Sequence, residues 1–265
     1  MRIAIIGCGV MGSAFARHFA KNHIVLLSDR DRVRGEALAQ EIGGAFQEDA
    51  ADIVGQASVV LLATKPNDLP TIAKEISDAF TEDKILISIL AGTPLSSLRG
   101  YFRFGSIVRS MPNLALIHGQ GVIGLTSNEE WLEVKQTIDS LLKGIGLVAW
   151  MSEDKIEALT ALSGSGIGFV LVMIEAMIDG GVYLGFNAQE SREFVLKTIE
   201  GAIALMRGSG QHPAELKLQI ASPGGTTITG LRVLEKEGVR SGIVHALVAC
   251  YEKALSMMNP SKKRT

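Results

Sequence analysis

Residues 2–20 read as a strand, a glycine-rich turn and a helix, and few folds accommodate that succession. Ile3-Ala-Ile-Ile6 is an unbroken apolar run, which suits a strand covered on both faces of a parallel sheet. Gly7, Gly9 and Gly12 follow at once as G-x-G-x-x-G, and Phe15, Ala16, Phe19 and Ala20 then recur at helical spacing. Each glycine has its own reason: the tight turn at Gly7, bare backbone for a pyrophosphate at Gly9, close helix–strand contact at Gly12. The context predicts a dinucleotide-binding loop, Gly7, Gly9, Val10, Met11 and Gly12, with the pyrophosphate on free N–H groups of the helix N-terminus.

Beyond this loop, strand and helix signals alternate. His23 to Ser28 reads as a second strand followed by Asp29-Arg-Asp-Arg32. Asp29 lies where an acid binds the ribose 2′-OH of NAD, whereas Arg30, Arg32 and Arg34 could cradle the 2′-phosphate of NADP; both cofactors stay open. Asp31 as N-cap of the next helix, which runs to about Ile42 before Gly43-Gly44, explains part of the cluster. Ala57 to Ala63 is a further buried strand ending in Thr64-Lys65-Pro66, at the sheet edge where ligands bind in such folds. Ile85 to Leu90 is another, followed by Ala91-Gly92-Thr93-Pro94 with Thr93 expected as N-cap and Pro94 at the first helical position. Ile107 to Ser110 leads into Met111-Pro112-Asn113, and Gly121 to Thr126 and Gly146 to Met151 finish the sheet around a helix over Asn128 to Lys143. This alternation predicts an α/β fold, a Rossmann-type, mainly parallel, doubly wound sheet over residues 1–152.

Past Met151 the strand signals stop, which predicts an all-helical domain over 153–265. A helix over Lys155 to Leu162 is expected to be interrupted by Ser163-Gly-Ser-Gly166. Gly168 to Leu184 is apolar at nearly every position, so a helix there needs cover, and a second subunit is the expected source. Gln189 to Met206, His212 to Ile220, a segment opened by Ser222-Pro-Gly-Gly-Thr-Thr227, and Arg240 to Met258, stopped before Pro260, complete the domain. A net charge of −2 gives no basic footprint for nucleic acid, and Ser261–Thr265 reads as a small frayed tail. Cys8 and Cys250 fit neither a disulfide framework nor a metal site. The absence of a signal-peptide pattern and of a membrane-length apolar stretch predicts a cytoplasmic protein.

The chain resembles the pyrroline-5-carboxylate reductases, the family that completes proline synthesis, along nearly its full length. The matching runs are Gly7 to Gly12, Ala63-Thr-Lys-Pro66, Ser88 to Gly92, Met111-Pro-Asn113, Ala161 to Gly166, Glu175 to Val182, His212 to Lys217 and, most specific, Ser222-Pro-Gly-Gly-Thr-Thr-Ile228. The resemblance implies an NAD(P)H-dependent reduction of a cyclic imine and a homodimer, alone or as the unit of a larger homo-oligomer. It also implies cofactor contacts at Ala63, Lys65, Pro66, Ala91, Gly92 and Asn113. It implies that Ser222, Gly224, Gly225, Thr226 and Thr227 hold the substrate carboxylate, with Thr227 facing the ring nitrogen as the catalytic residue. Read without the resemblance, the same run is equally a Ser/Thr helix cap or a backbone nest for a carboxylate. Leu114-Ala115, Ile167-Gly-Phe169 and Leu218 depart from the family's usual residues, which keeps a related imine or carbonyl acid open as substrate; a dinucleotide-holding protein without turnover is the remaining alternative. None of the five histidines has a partner at catalytic spacing, so capping or surface roles are expected for them.

Overall fold

A computed structural model describes residues 1–128 and 131–258; Pro260 and the tail Ser261–Thr265 lie outside the described residues. Two compact units are present. One comprises Met1–Gly164 and the chain from Cys250 onward, the other Ser165–Ala249.

The first unit carries strands β1 (Arg2–Ile6), β2 (Ile24–Ser28), β3 (Ala45–Phe46), β4 (Val59–Leu62), β5 (Ile85–Ser88), β6 (Ser106–Pro112), β7 (Gly121–Thr126) and β8 (Gly146–Trp150). They form one sheet in the order β3-β2-β1-β4-β5-β6-β7-β8. Neighbours are parallel except β6 and β7, which pair antiparallel with Arg109 opposite Thr126. The order reverses between β1 and β4, and that switch point opens a crevice at the carboxyl ends of the strands. Helices α1 (Val10–Phe19), α2 (Arg32–Ile42), α3 (Ala50–Gln56), α4 (Leu69–Ile76), α5 (Leu95–Tyr101) and α6 (Leu132–Leu141) cover the two faces. Ile3, Ile5, Phe15, Phe19 and Leu61 belong to one apolar layer, and Ala4, Ile6, Ile53, Leu62 and Ile76 to the other. Alternate residues of β1 thus feed opposite layers, which is why that strand is apolar throughout.

Two local expectations are corrected, and one strand is added. β3 carries no sequence signal, because two residues cannot show a period. β5 stops at Ser88, short of Leu90. Pro94, not Thr93, occupies the N-cap of α5, and the first amide of that helix, at Leu95, donates to Glu153 Oε1 at 2.7 Å. A carboxylate 58 residues away therefore does the work expected of the threonine. Glu153 also joins a buried ion cluster: Arg109, 1% exposed, donates to Glu153 Oε1 at 3.2 Å and to Glu157 Oε1.

The helices after β8 are α7 (Ile156–Leu159), α8 (Gly166–Tyr183), α9 (Ala188–Ser209), α10 (Pro213–Ile220), α11 (Thr226–Lys236) and α12 (Val239–Met258). The Ser-Gly-Ser-Gly run expected to break the helix instead winds into a π-helical turn, Thr160–Ser165, that joins α7 to α8. Asn113 braces this turn, donating from Nδ2 to Ser163 Oγ at 2.8 Å while its Oδ1 accepts from Val122 N–H. In the second unit α8 and α9 lie close together. A Cβ on Gly181 would stand 2.1 Å from Ser191 Oγ, which itself donates to Ile178 O at 2.7 Å. Yet none of the 18 residues of α8 is buried within the single chain. Val170, Leu171, Val172 and Met173 face outward together.

Candidate active site

The glycine loop is built as its spacing predicts. Gly7 adopts φ of 101°, and a Cβ there would stand 2.6 Å from the Ala63 carbonyl oxygen, so the loop crosses the end of β4 on bare backbone. Gly12 is packed harder still: a Cβ would meet Gly7 O at 1.9 Å. Gly9 differs. It is the N-cap of α1, makes no side-chain cap, and a Cβ on it would meet nothing within 4 Å. Its open side and the free first-turn amides form a cradle that fits a pyrophosphate.

A cavity of about 670 Å³ lies at this switch point, lined among the expected residues by Gly7, Gly9, Val10, Met11, Asp29, Arg30, Ala63 and Lys65. Gly12, Pro66, Ala91, Gly92 and Asn113 do not line it. Gly12 acts beneath the loop, Pro66 starts a short 3-10 turn, Gly92 takes φ of 67° beside Met257, and the Asn113 amide is spent on the π-turn. Thr64, which the sequence reading placed at the ligand edge of the sheet, lines the cavity too, as do Thr71, Ile72 and Glu75, which it missed. The Thr64 hydroxyl, one step past the β4 run, is buried without a hydrogen-bond partner among the described residues, a donor that suits a polar ligand there.

Cys8 is inert in this loop. It is 1% exposed, and burial, aided by the Asp29 charge, pushes its thiol up to about 12. Its backbone N–H instead donates to Asp29 Oδ2. Asp29 Oδ1 accepts from Asp31 N–H at 2.7 Å and from Arg34 Nη2 at 2.7 Å. Asp31 caps α2, accepting from Arg34 N–H. Two of the histidines take structural places: His212 Nδ1 accepts from Ala214 N–H in a capping box with Glu215, and His18 Nε2 lies 3.0 Å from Leu141 O.

The Ser222–Thr227 run lies in the second unit. Gly224 turns the chain with φ of 69°, and Gly225 N–H donates to Ser222 O at 3.0 Å. Gly225, not a serine or threonine, is the N-cap of α11, and no side chain caps that terminus. The first-turn amides are therefore left for another acceptor. Thr226 is exposed and Thr227 half-buried.

A Rossmann-type sheet with a phosphate-cradling loop, continued by a helical segment with an exposed apolar face, fits the class of nicotinamide-dinucleotide oxidoreductases. Residues 153–257 match a family model described as "Pyrroline-5-carboxylate reductase dimerisation", and residues 2–92 one described as "NADP oxidoreductase coenzyme F420-dependent". The chain is 37% identical to pyrroline-5-carboxylate reductase 3 of Danio rerio over 84% of its own length and 78% of the relative's. It is 32% identical to the pyrroline-5-carboxylate reductase of Methanosarcina acetivorans over 96% of each chain. A Plasmodium falciparum pyrroline carboxylate reductase crystallised with NADP bound superposes with a TM-score of 0.89 over 98% of both chains, at 26% identity. The chain belongs to the pyrroline-5-carboxylate reductase family.

Proposed function

We propose that the protein reduces 1-pyrroline-5-carboxylate to L-proline. The observation that carries this reading is the uncapped first turn of α11 behind Ser222-Pro-Gly-Gly. Its amides and positive end suit the substrate carboxylate. A nicotinamide dinucleotide bound at the glycine loop supplies the hydride that the imine carbon accepts. Residues 1–152 serve the cofactor and residues 153–265 serve substrate and assembly. The chain's own contribution is positioning and charge placement. Gly7, Gly9, Val10 and Met11 hold the pyrophosphate, Lys65 adds a cation at the carboxyl edge, and the Thr64 hydroxyl gains a partner. The Thr227 hydroxyl hydrogen-bonds the ring nitrogen and fixes the ring's orientation, while the imine nitrogen takes its proton from solvent.

Thr227→Ala is expected to lower kcat/KM for the imine by about tenfold to a hundredfold, the worth of one hydrogen bond in a closed site. Because Gly225 is the cap, melting temperature should stay put. Thr227→Ser should recover most of the loss. A fall in stability with turnover per folded molecule unchanged would return this threonine to a structural role.

The match to a dimerisation family and the bare surface of α8 support a homo-oligomer, which we assign as a homodimer. Against the expectation of no membrane-length apolar stretch, the helical run Glu153–Tyr183 is long and apolar enough, by length and composition only, to cross a membrane. We infer that a second copy covers it, and that the protein, with both cysteines free, works in the cytoplasm without membrane or nucleic-acid partners. Sedimentation should show no active monomer at micromolar concentration, with no need for detergent. A stable, active monomer would contradict the assignment.

A further inference from the structure

Asn113 stands just past the end of β6, 6% exposed and off the wall of the switch-point cavity. Its backbone N–H donates to Val122 O at 3.1 Å and its Oδ1 accepts from Val122 N–H at 3.1 Å, so the side chain adds a rung to the β6–β7 ladder. A backbone N–H can only donate, which fixes the amide: Oδ1 faces Val122 and Nδ2 faces the π-turn. Both Nδ2 hydrogens are directed at Ser163, toward Oγ at 2.8 Å and the carbonyl oxygen at 3.5 Å. Ser163 Oγ is therefore an acceptor here. Its own proton is turned away from Asn113 and finds no acceptor among the described residues.

The same strand grips the same stretch of chain a second time. Arg109, earlier on β6, donates to Glu153 and Glu157 at the start of α7. Glu153 in turn accepts from Leu95 N–H, which ties in the turn after β5. That turn, the end of β6 and the π-turn up to Gly164 all belong to the first unit and are locked together at the carboxyl edge of the sheet. In a doubly wound sheet the half that carries an acid after the second strand takes the adenosine. The nicotinamide end then extends over the carboxyl ends beyond the switch point, here β4, β5 and β6. A π-turn is uncommon, and where one occurs it frequently marks a functional site.

We propose that Asn113 and Ser163 are positioning residues for hydride transfer: the pair holds the π-turn as a wall beside the nicotinamide ring, and neither adds to the affinity for the dinucleotide. This moves Asn113 from cofactor contact to brace. Among the described residues, Asn113 supplies the only side-chain hydrogen bonds that join the turn itself to the sheet. Hydride moves only when the donor and acceptor carbons come within about 3–3.5 Å, so a wall displaced by about 1 Å costs rate without costing affinity. The inference rests on the chain reducing 1-pyrroline-5-carboxylate with a dinucleotide on the glycine loop.

Two measurements on the full-length protein test it together: titration calorimetry with NADP⁺, and steady-state reduction of 1-pyrroline-5-carboxylate by NADPH with hydrogen or deuterium at the transferred position. Ser163→Ala and Asn113→Ala should each lower kcat by about tenfold to a hundredfold and leave NADP⁺ affinity within about twofold. The isotope effect on kcat should be no smaller than the parent's, because the slowed step is the hydride transfer. The double variant should be no slower than the slower single, since either change breaks the same link. Ser163→Thr, which keeps the acceptor oxygen, should recover most of the rate. Asn113→Ala also strips Val122 N–H of its acceptor, so Ser163→Ala carries the test should that variant fail to fold. NADP⁺ weakened by about tenfold or more in Asn113→Ala, with Ser163→Ala unaffected, would make Asn113 a cofactor contact and overturn the proposal. So would losses that multiply in the double variant, or a Ser163→Ala protein with a lower melting temperature and the parent's kcat per folded molecule. A parent that binds NADP⁺ without reducing the imine would overturn the proposed activity and the brace with it.

Discussion

Gly9→Val will melt at the temperature of the parent protein and lose nicotinamide dinucleotides by at least about a hundredfold in affinity. The two halves of that result come from one measurement of space. The position of a Cβ on Gly9 is empty to 4 Å, so the folded chain receives the side chain without moving. Gly9 has φ of −67° and ψ of −173°, which valine adopts freely. With the pyrophosphate seated in that space, as proposed above, the isopropyl group excludes the ligand and not the fold. Gly12→Val is the contrasting variant. A Cβ there would stand 1.9 Å from Gly7 O, so this substitution must fail by unfolding the loop. Equal cofactor affinity in Gly9→Val and the parent would remove the loop from the binding site.

Arg109→Met should cost roughly 3–5 kcal/mol of stability, the toll of leaving buried charges without their counter-ion. Arg109 sits on β6 with its side chain 2% exposed, and its loss would strand two carboxylates, Glu157 at 3% and Glu153 at 28%. Glu157→Gln should cost less, because Glu153 still pairs the guanidinium. Glu153→Gln should cost least, because Glu153 is partly exposed and a glutamine oxygen can still accept the first amide of α5. The expected order of loss is therefore Arg109→Met, then Glu157→Gln, then Glu153→Gln, read by denaturant unfolding at fixed protein concentration. An Arg109→Met midpoint equal to that of the parent would show that water reaches the cluster.

How much of this was visible in the residues depended on whether the cause was local. The strands at Ile3–Ile6 and Val59–Leu62 and the glycine turn between strand and helix follow from apolar continuity and backbone sterics, which a short window contains. The cap of α5 did not, because Thr93 is a good local candidate and nothing nearby announces that Glu153 arrives from 58 residues away. The π-turn escaped for the same reason: Ser-Gly-Ser-Gly is a helix breaker by itself, and its brace is Asn113 on the far side of β7 and β8. At Asp29 the spacing picked out the acid and its neighbouring arginines, but which arginine turns to which acid is a matter of side-chain geometry. The Ser222–Thr227 run gave cap and carboxylate nest equal standing, and the structure puts Gly225 at the N-cap with no side chain capping it.

The bare face of α8 also sets how the catalyst responds to its own abundance. With none of the helix's residues buried in a lone chain, a newly made copy has nothing to fold that surface against until it meets another. For the homodimer proposed above, the competent species then accumulates with the square of the chain concentration while copies are scarce, and linearly once they are plentiful. Halving synthesis in the dilute regime would leave about a quarter of the assembled enzyme, by the same mass action. A second gene copy carrying a variant that assembles but cannot turn over would poison mixed pairs as well as its own.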